Sequence, residues 1–295
     1  MKNKDFYGKK KGYFEGWYFK NQFEDNVISF IPGINIKENG EKYSFIQVIT
    51  KTKSYNINYD FKDFSISADK LTIKIKDNIF STKGIIINIK NKDIHIKGRL
   101  TYNNITPIKS DIMGLFKYFS FMECYHGVLS LNHTVNGSLY INNEEMKFIY
   151  GKGYIEKDLG KSFPETYLWI QSNDFSIEDT SIMVSIADIP FLGCKFKGCI
   201  AVVYYKGKEY RFATYNGVKI VLYNEKKIVI KRGKYKLEVD IDGLSGQRLL
   251  APNAGEMTRT IYENINCTAR FQFYKNNKLI FNLVSKTTSF EYVND

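Results

Sequence analysis

The sequence predicts an all-β protein, an antiparallel sheet closing into a barrel or sandwich, on three observations. Aromatic residues make up 16% of the 295 residues, with 22 Tyr and 22 Phe, and such side chains fit a pleated surface better than a helix. Short runs alternate polar and apolar residues, as in EKYSFIQVIT (Glu41 to Thr50), which is the period of a half-buried strand. Turn residues punctuate these runs at even spacing, with no sustained helical period and no repeat. The length exceeds one small barrel and suits two β domains.

In chain order, MKNKDFYGKKKG carries charge with no apolar stretch behind it. No window approaches the roughly 18 apolar residues of a membrane span, so a soluble, unexported, cytoplasmic protein is expected. YFEGWYFK (Tyr13 to Lys20) is the first strand, and the branched run from Val27 to Ile36 the second. Alternation continues from INYDF to GRLTY, broken at Asp-Asn, Lys-Gly and Asn-Lys-Asp turns. Asn103 to Phe121 holds a proline and two apolar clusters without alternation, which predicts a crossing loop with one helical turn. A hairpin on Asn142-Asn143 follows. YLWIQSNDF then opens a series of hairpins turning at Lys206-Gly207, Asn216-Gly217, Asn224-Glu225 and Arg232-Gly233. LSGQRLLAPNAGEMTRTIYENI reads as irregular, and two strands close the chain. The divide between domains is expected near Gly151 to Lys161, giving domains 1–150 and 151–295, and the absence of a Pro, Gly or Ser-rich linker predicts two units packed together.

A formal net charge of +12, from 43 Lys plus Arg against 31 Asp plus Glu, raises nucleic acid or an anionic membrane as partners. The dense basic run is only Lys9 to Lys11, and core packing accounts for the aromatics interleaved with Lys. The expectation is therefore a solvated Lys-rich surface with no nucleic-acid partner, leaving peripheral membrane contact through Lys-rich edges open. Cys124, Cys194, Cys199 and Cys267 are scattered and predict reduced thiols. Cys194 and Cys199 lack the further ligands of a zinc site. DLGKS (Asp158 to Ser162) has Ile155 where a phosphate loop needs glycine, and no G-x-S-x-G elbow is present. On a strand Glu123 and His126 point to opposite faces, which argues against a metal cluster within MECYHG. No metal and no cofactor are expected.

Carboxylates in aromatic surroundings remain. Tyr13, Glu15 and Trp17 share one face of YFEGWYFK. Glu123 shares a face with Tyr125 in MECYHG, and Tyr154, Glu156 and Asp158 share a face of YIEKDLG opposite Lys157. YLWIQ aligns Tyr167, Trp169 and Gln171. An acid buried among rings can keep its proton near neutral pH and donate it, while ring faces stabilise a developing cation. The competing reading is structural: the acids pair with Lys157, Arg259 or backbone amides and hold strands in register.

With YFEGWYFK, YIEKDLGKSFPETYLWIQSNDF, GKEYRFATYNGV and LLAPNAGEMTRTIYENINCTARFQFY in this order between Gly12 and Ser289, the chain resembles the tocopherol cyclase family. The resemblance implies two lipocalin-like β-barrel domains related to carotenoid hydratases. It also implies an isomerase of the intramolecular lyase type, in which an acid protonates an isoprenoid double bond of a prenylated quinol and the phenolic oxygen captures the cation. Carried onto this chain, the candidate acids are Glu15, Asp158 and Glu156. The expected substrate-binding residues are Tyr13, Trp17, Glu123, Tyr125, His126, Lys157, Trp169 and Gln171, and the expected partner is a hydrophobic small molecule. Leu159 stands where plant members have tryptophan, and Lys161-Ser162 replace a glycine pair, which points to another isoprenoid or polyketide substrate. The alternative function is a lipocalin-like carrier that does no chemistry.

Overall fold

A computed structural model of the chain describes residues 11–67, 70–119, 122–191, 194–243 and 246–294. Met1 to Lys10, with Lys9 and Lys10 of the basic run, lie outside the described residues. Among the described residues there is no α-helix, only three short 3-10 turns at Phe61–Asp63, Gly114–Tyr118 and Thr214–Asn216. No described helix is long and apolar enough to cross a membrane.

The first sheet is built from β1 (Tyr13–Phe23), β2 (Asn26–Ile36), β3 (Lys42–Thr50), β4 (Ser54–Asp60), β5 (Phe64–Ile66), β6 (Thr72–Ile75), β7 (Asn78–Ser81), β8 (Gly84–Lys90), β9 (His95–Thr106), β10 (Cys124–Ile141) and β11 (Glu144–Gly160). The second contains β12 (Tyr167–Ser172), β13 (Thr180–Phe191), β14 (Cys194–Tyr205), β15 (Lys208–Ala213), β16 (Lys219–Tyr223), β17 (Lys227–Arg232), β18 (Tyr235–Asp242), β19 (Gln247–Asn253), β20 (Glu256–Lys275) and β21 (Lys278–Val293). Every strand pair is antiparallel, and the protein is all-β with lipocalin-like sheets. The first sheet runs β4-β3-β2-β1-β11-β10-β9-β8-β7-β6-β5, so β11 closes the meander by lying between β1 and β10. The second runs β15-β14-β13-β12-β21-β20-β18-β17-β16, with β19 on β20.

Local chemistry explains the turns. Asn142-Asn143, Lys206-Gly207 and Asn276-Asn277 all take positive φ, the conformation that two-residue hairpins require and that Asn and Gly tolerate best. The turn expected at Arg232-Gly233 sits one residue later, since Arg232 ends β17. Three expectations are corrected. Asn216-Gly217 does not turn a hairpin, because a 3-10 turn occupies Thr214–Asn216 and β15 and β16 stand at opposite ends of the second sheet's order. Asn103 to Thr106 continue β9, and only Gly114–Tyr118 is the helical turn of the predicted loop. The stretch read as irregular supplies β19 and most of the first half of β20; Pro252 is accommodated because β19 pairs with β20 alone and is an edge strand.

Burial separates strands of two kinds. From Ile85 onward β8 alternates, buried then exposed, whereas β1 is buried along nearly its whole length and β12 throughout. Trp17, Phe19, Phe30, Phe80 and Ile155 belong to one core, and Leu168, Ile170, Phe212, Phe271 and Phe290 to another. The chain groups into two compact units. The first holds residues 11–108, Glu123–Phe163 and Arg248–Thr260, and the second the described residues of Lys109–Met122, Pro164–Gln247 and Ile261–Asp295. The position 150/151 falls inside β11, which runs through it unbroken. Side-chain amides tie the late segment into the first unit. Gln47 donates to the Leu250 carbonyl at 2.9 Å and accepts from the Leu250 amide at 3.0 Å, while Asn35 donates to the Gly255 carbonyl at 2.7 Å.

Candidate functional site

The register of β1, β11 and β10 decides which acids meet. Trp17 stands opposite Lys157, and Glu15 opposite Leu159. Gly16 stands opposite Asp158, Tyr18 opposite Glu156, and Lys20 opposite Tyr154. Across the other ladder His126 is opposite Asp158 and Val128 opposite Glu156. Cross-strand partners share a face, so these three strands carry two polar clusters on opposite faces.

On the face that joins the core through Trp17 and Phe19, Glu15 is fully buried and Lys157 nearly so. Their carboxylate and ammonium form an ion pair. The Tyr13 hydroxyl donates to the second Glu15 oxygen at 3.0 Å. The Lys157 ammonium also lies 5.2 Å from the centroid of the Trp17 ring, within cation–π range.

On the opposite face an imidazole sits between two carboxylates. His126 Nδ1 is 2.9 Å from Asp158 Oδ1, and His126 Nε2 is 3.4 Å from Glu156 Oε2. Tyr154 donates to Glu156 Oε2 at 2.7 Å. Tyr154 is wholly buried, and burial, reinforced by the Glu156 charge, pushes its phenol well above the usual range, so it is a permanent donor here. Cys124 Sγ lies 3.8 Å from Asp158 Oδ1, and its thiol is raised by burial and then by Asp158. Asp158 is the most accessible member, with its side chain 20% exposed against 6% for Glu156. Nearby, Ser29 donates to the Tyr18 hydroxyl at 2.9 Å.

The groups of His126, Glu156 and Asp158 offer one ligand atom each, all within 4.8 Å of one another. This is a donor set that a divalent cation such as zinc accepts. The opposite-face argument for Glu123 and His126 does not reach these carboxylates, which arrive from β11 across the ladder.

The remaining expected residues divide. Glu123 is exposed just before β10, and Tyr125 is partly buried, its phenol raised by burial. Trp169 and Gln171 are buried in β12 of the second unit. In that unit Tyr167 donates to Glu291 Oε2 at 2.7 Å, and Glu291 pairs across the ladder with the fully buried Glu263. Neither Glu263 nor Glu291 was among the expected site residues, although IYEN and FEYV show the same cue, an acid beside an aromatic, that singled out Glu15. Tyr154, on the face that the two-residue period predicts, takes the role of donor to Glu156. None of the four cysteines is in a disulfide.

The tocopherol cyclase-like family matches residues 80–292. This stretch contains β10, β11 and β12, whereas YFEGWYFK precedes it. No curated protein matches the chain. Among solved structures, CghA in complex with Sch210972 is similar at a TM-score of 0.60 and 8% identity, over 95% of this chain and 88% of that one. A candidate AttH protein from Nitrosomonas europaea gives 0.56 at 11% identity, over 95% and 93%. Kievitone hydratase from Nectria haematococca gives 0.52 at 13%, over 95% and 88%. At these identities the likeness is one of fold.

Proposed function

From the premise that the chain belongs to the tocopherol cyclase-like family, we propose that it is an acid catalyst of the cyclase or hydratase type, acting on an isoprenoid-type double bond. The observation that carries the reading is His126 held between Asp158 and Glu156, with Tyr154 donating to Glu156. An imidazole placed between two carboxyl groups can relay a proton from one to the other. In this reading the proton leaves from the carboxyl group of Asp158, the member with most access.

The proton adds to the less substituted alkene carbon and leaves a tertiary cation. An oxygen nucleophile then forms the C–O bond, and its O–H proton returns to the cluster. A phenol of the same molecule gives ring closure, an isomerisation of the intramolecular lyase class; water gives hydration. Neither route changes oxidation state, and the catalytic proton is restored. The ring faces of Tyr18 and Tyr154, on the same side of the sheet by register, suit a transient cation. Glu15 has a different role in this reading: its ion pair with Lys157 anchors β1 to β11.

The test is turnover of prenylated hydroquinones and simple isoprenoid olefins in D₂O, followed by mass spectrometry. A product carrying one solvent deuterium on the carbon next to the new C–O bond is expected. Asp158→Asn should lower the rate by roughly 10²–10⁴. Recovery of a tightly bound olefin chemically unchanged, after prolonged incubation with folded protein, would establish the carrier function instead.

A further inference from the structure

The second unit contains a cavity of about 420 Å³ that is lined by none of the carboxylates described above, within the range of small-molecule sites. It is built at β15, one end of the second sheet's strand order, and at the turn joining β17 to β18. Lys208 to Phe212 come from β15, Arg232 and Tyr235 from that turn, and Lys109 from the segment after β9.

The charges do not balance. Lys109, Lys208, Arg211 and Arg232 face a single acid, Glu209. That acid is already engaged: one oxygen accepts from Arg211 Nη2, and the other from the Lys109 backbone amide at 3.0 Å. Arg211 is engaged as well. It donates to the Asp111 carbonyl at 2.8 Å, to the Ser110 carbonyl at 3.0 Å and to the Tyr215 hydroxyl at 3.2 Å. Arg211 and Glu209 are therefore the frame that fixes Lys109 at the rim. Arg232 donates from Nη1 to the Arg211 carbonyl, which orients its guanidinium along the same wall. Lys109 and Lys208 are exposed and belong to none of the ion pairs among the described residues.

Aromatic rings form the other wall. Tyr210 and Tyr235 lie 5.2 Å apart between centroids, and Tyr235 stacks on Phe273 at 5.7 Å with the planes 7° apart. These rings are held by packing, with Tyr210 tilted 60° to Tyr235.

We infer that this cavity binds a phosphate-bearing small molecule, with the phosphate groups held by Lys109, Lys208 and Arg232 and the rest of the molecule against Tyr210 and Tyr235. A multiply charged phosphate matches three cations lining one cavity, whereas a single carboxylate leaves two of them uncompensated. A guanidinium fork and two ammonium groups are the donors that phosphate oxygens take best. The site is independent of the proposed olefin chemistry, which uses the other unit.

Calorimetric titration of the full-length protein with sodium pyrophosphate, together with flotation on phosphatidylcholine vesicles with and without phosphatidic acid, tests it. Saturable pyrophosphate binding that weakens with added salt is expected. It should fall by roughly tenfold or more in Lys109→Glu/Lys208→Glu and persist in Lys74→Glu/Lys97→Glu, which makes the same charge change at exposed positions of β6 and β9. Flotation that requires phosphatidic acid and the same two lysines would identify a lipid headgroup as the source of the phosphate. Absence of both, or equal loss in the two double variants, overturns the inference.

Discussion

The two faces of the β1-β11-β10 ladder hold similar residues and arrange them differently. On one, Glu15 meets Lys157, a single acid answered by a single base, with Tyr13 closing the remaining oxygen. On the other, His126 stands between two carboxylates, with Tyr154 donating to one of them and the fully buried Lys20 on the same face by register. The first is a closed pair of one acid and one base, whereas the second joins several polar groups around an imidazole, the side chain best suited to pass a proton on and recover it. The contrast teaches that an acid among aromatic rings has to be read by the groups that stand beside it.

The largest expected effect on stability comes from breaking the matched pair. Glu15→Gln leaves the Lys157 ammonium buried without its counter-charge, and a loss of about 3–5 kcal/mol in urea unfolding is predicted. Adding Lys157→Met should restore much of it. A single variant as stable as the parent would show that the pair is not what anchors β1.

A smaller effect, graded with pH, concerns a third buried site in the same unit. His133 is wholly enclosed, 2.9 Å from Ser130 Oγ and packed on the Tyr102 ring at 4.3 Å. At Gly153 any side chain would collide with it, since a Cβ there would lie 2.1 Å from His133 Nε2. Burial lowers the His133 imidazole to about 3 from an ordinary 6.5. Between those values the unfolded chain binds the extra proton and the folded chain does not. The residue therefore costs nothing above about pH 6.5, and stability falls by about 1.4 kcal/mol per unit as the pH drops towards 3. Comparison with His133→Asn from about pH 7 to pH 5 should show the variant losing less on acidification; parallel curves would contradict the assignment.

The smallest effect is expected at Tyr154→Phe. It removes a buried donor to Glu156 while leaving His126 beside that carboxylate, and about 1–2 kcal/mol of stability is predicted to go. A rate loss larger than the stability loss would sharpen the comparison, by placing Tyr154 in the proton path.

Much of the fold was legible because strands write themselves locally. The strand at EKYSFIQVIT and the Asn142-Asn143 turn depend only on near neighbours, although Ser44 to Ile49 are buried on both faces where the alternation predicts a half-buried strand. The face shared by Tyr154, Glu156 and Asp158, and the opposite direction of Lys157, followed from the two-residue period alone. The period says which way a side chain points, but not which strand lies alongside. His126 meets Asp158 across 32 positions of sequence, and only the ladder register brings them together. For the same reason the ion pair of Glu15 with Lys157 is visible only once β11 lies beside β1. The stretch around Pro252 and Ala254-Gly255 misled for another reason: its turn residues mask two strands, one of them an edge that tolerates proline.

The most direct test of the central claim compares Asp158→Asn with the doubly substituted Glu15→Gln/Lys157→Met on the same olefin, under conditions where both are folded. A rate reduced by roughly 10²-fold or more in the first and within a few-fold of the parent in the second is predicted. The reverse pattern, with Asp158→Asn fully active and the double variant inactive, would contradict the assignment of proton transfer to the His126 face.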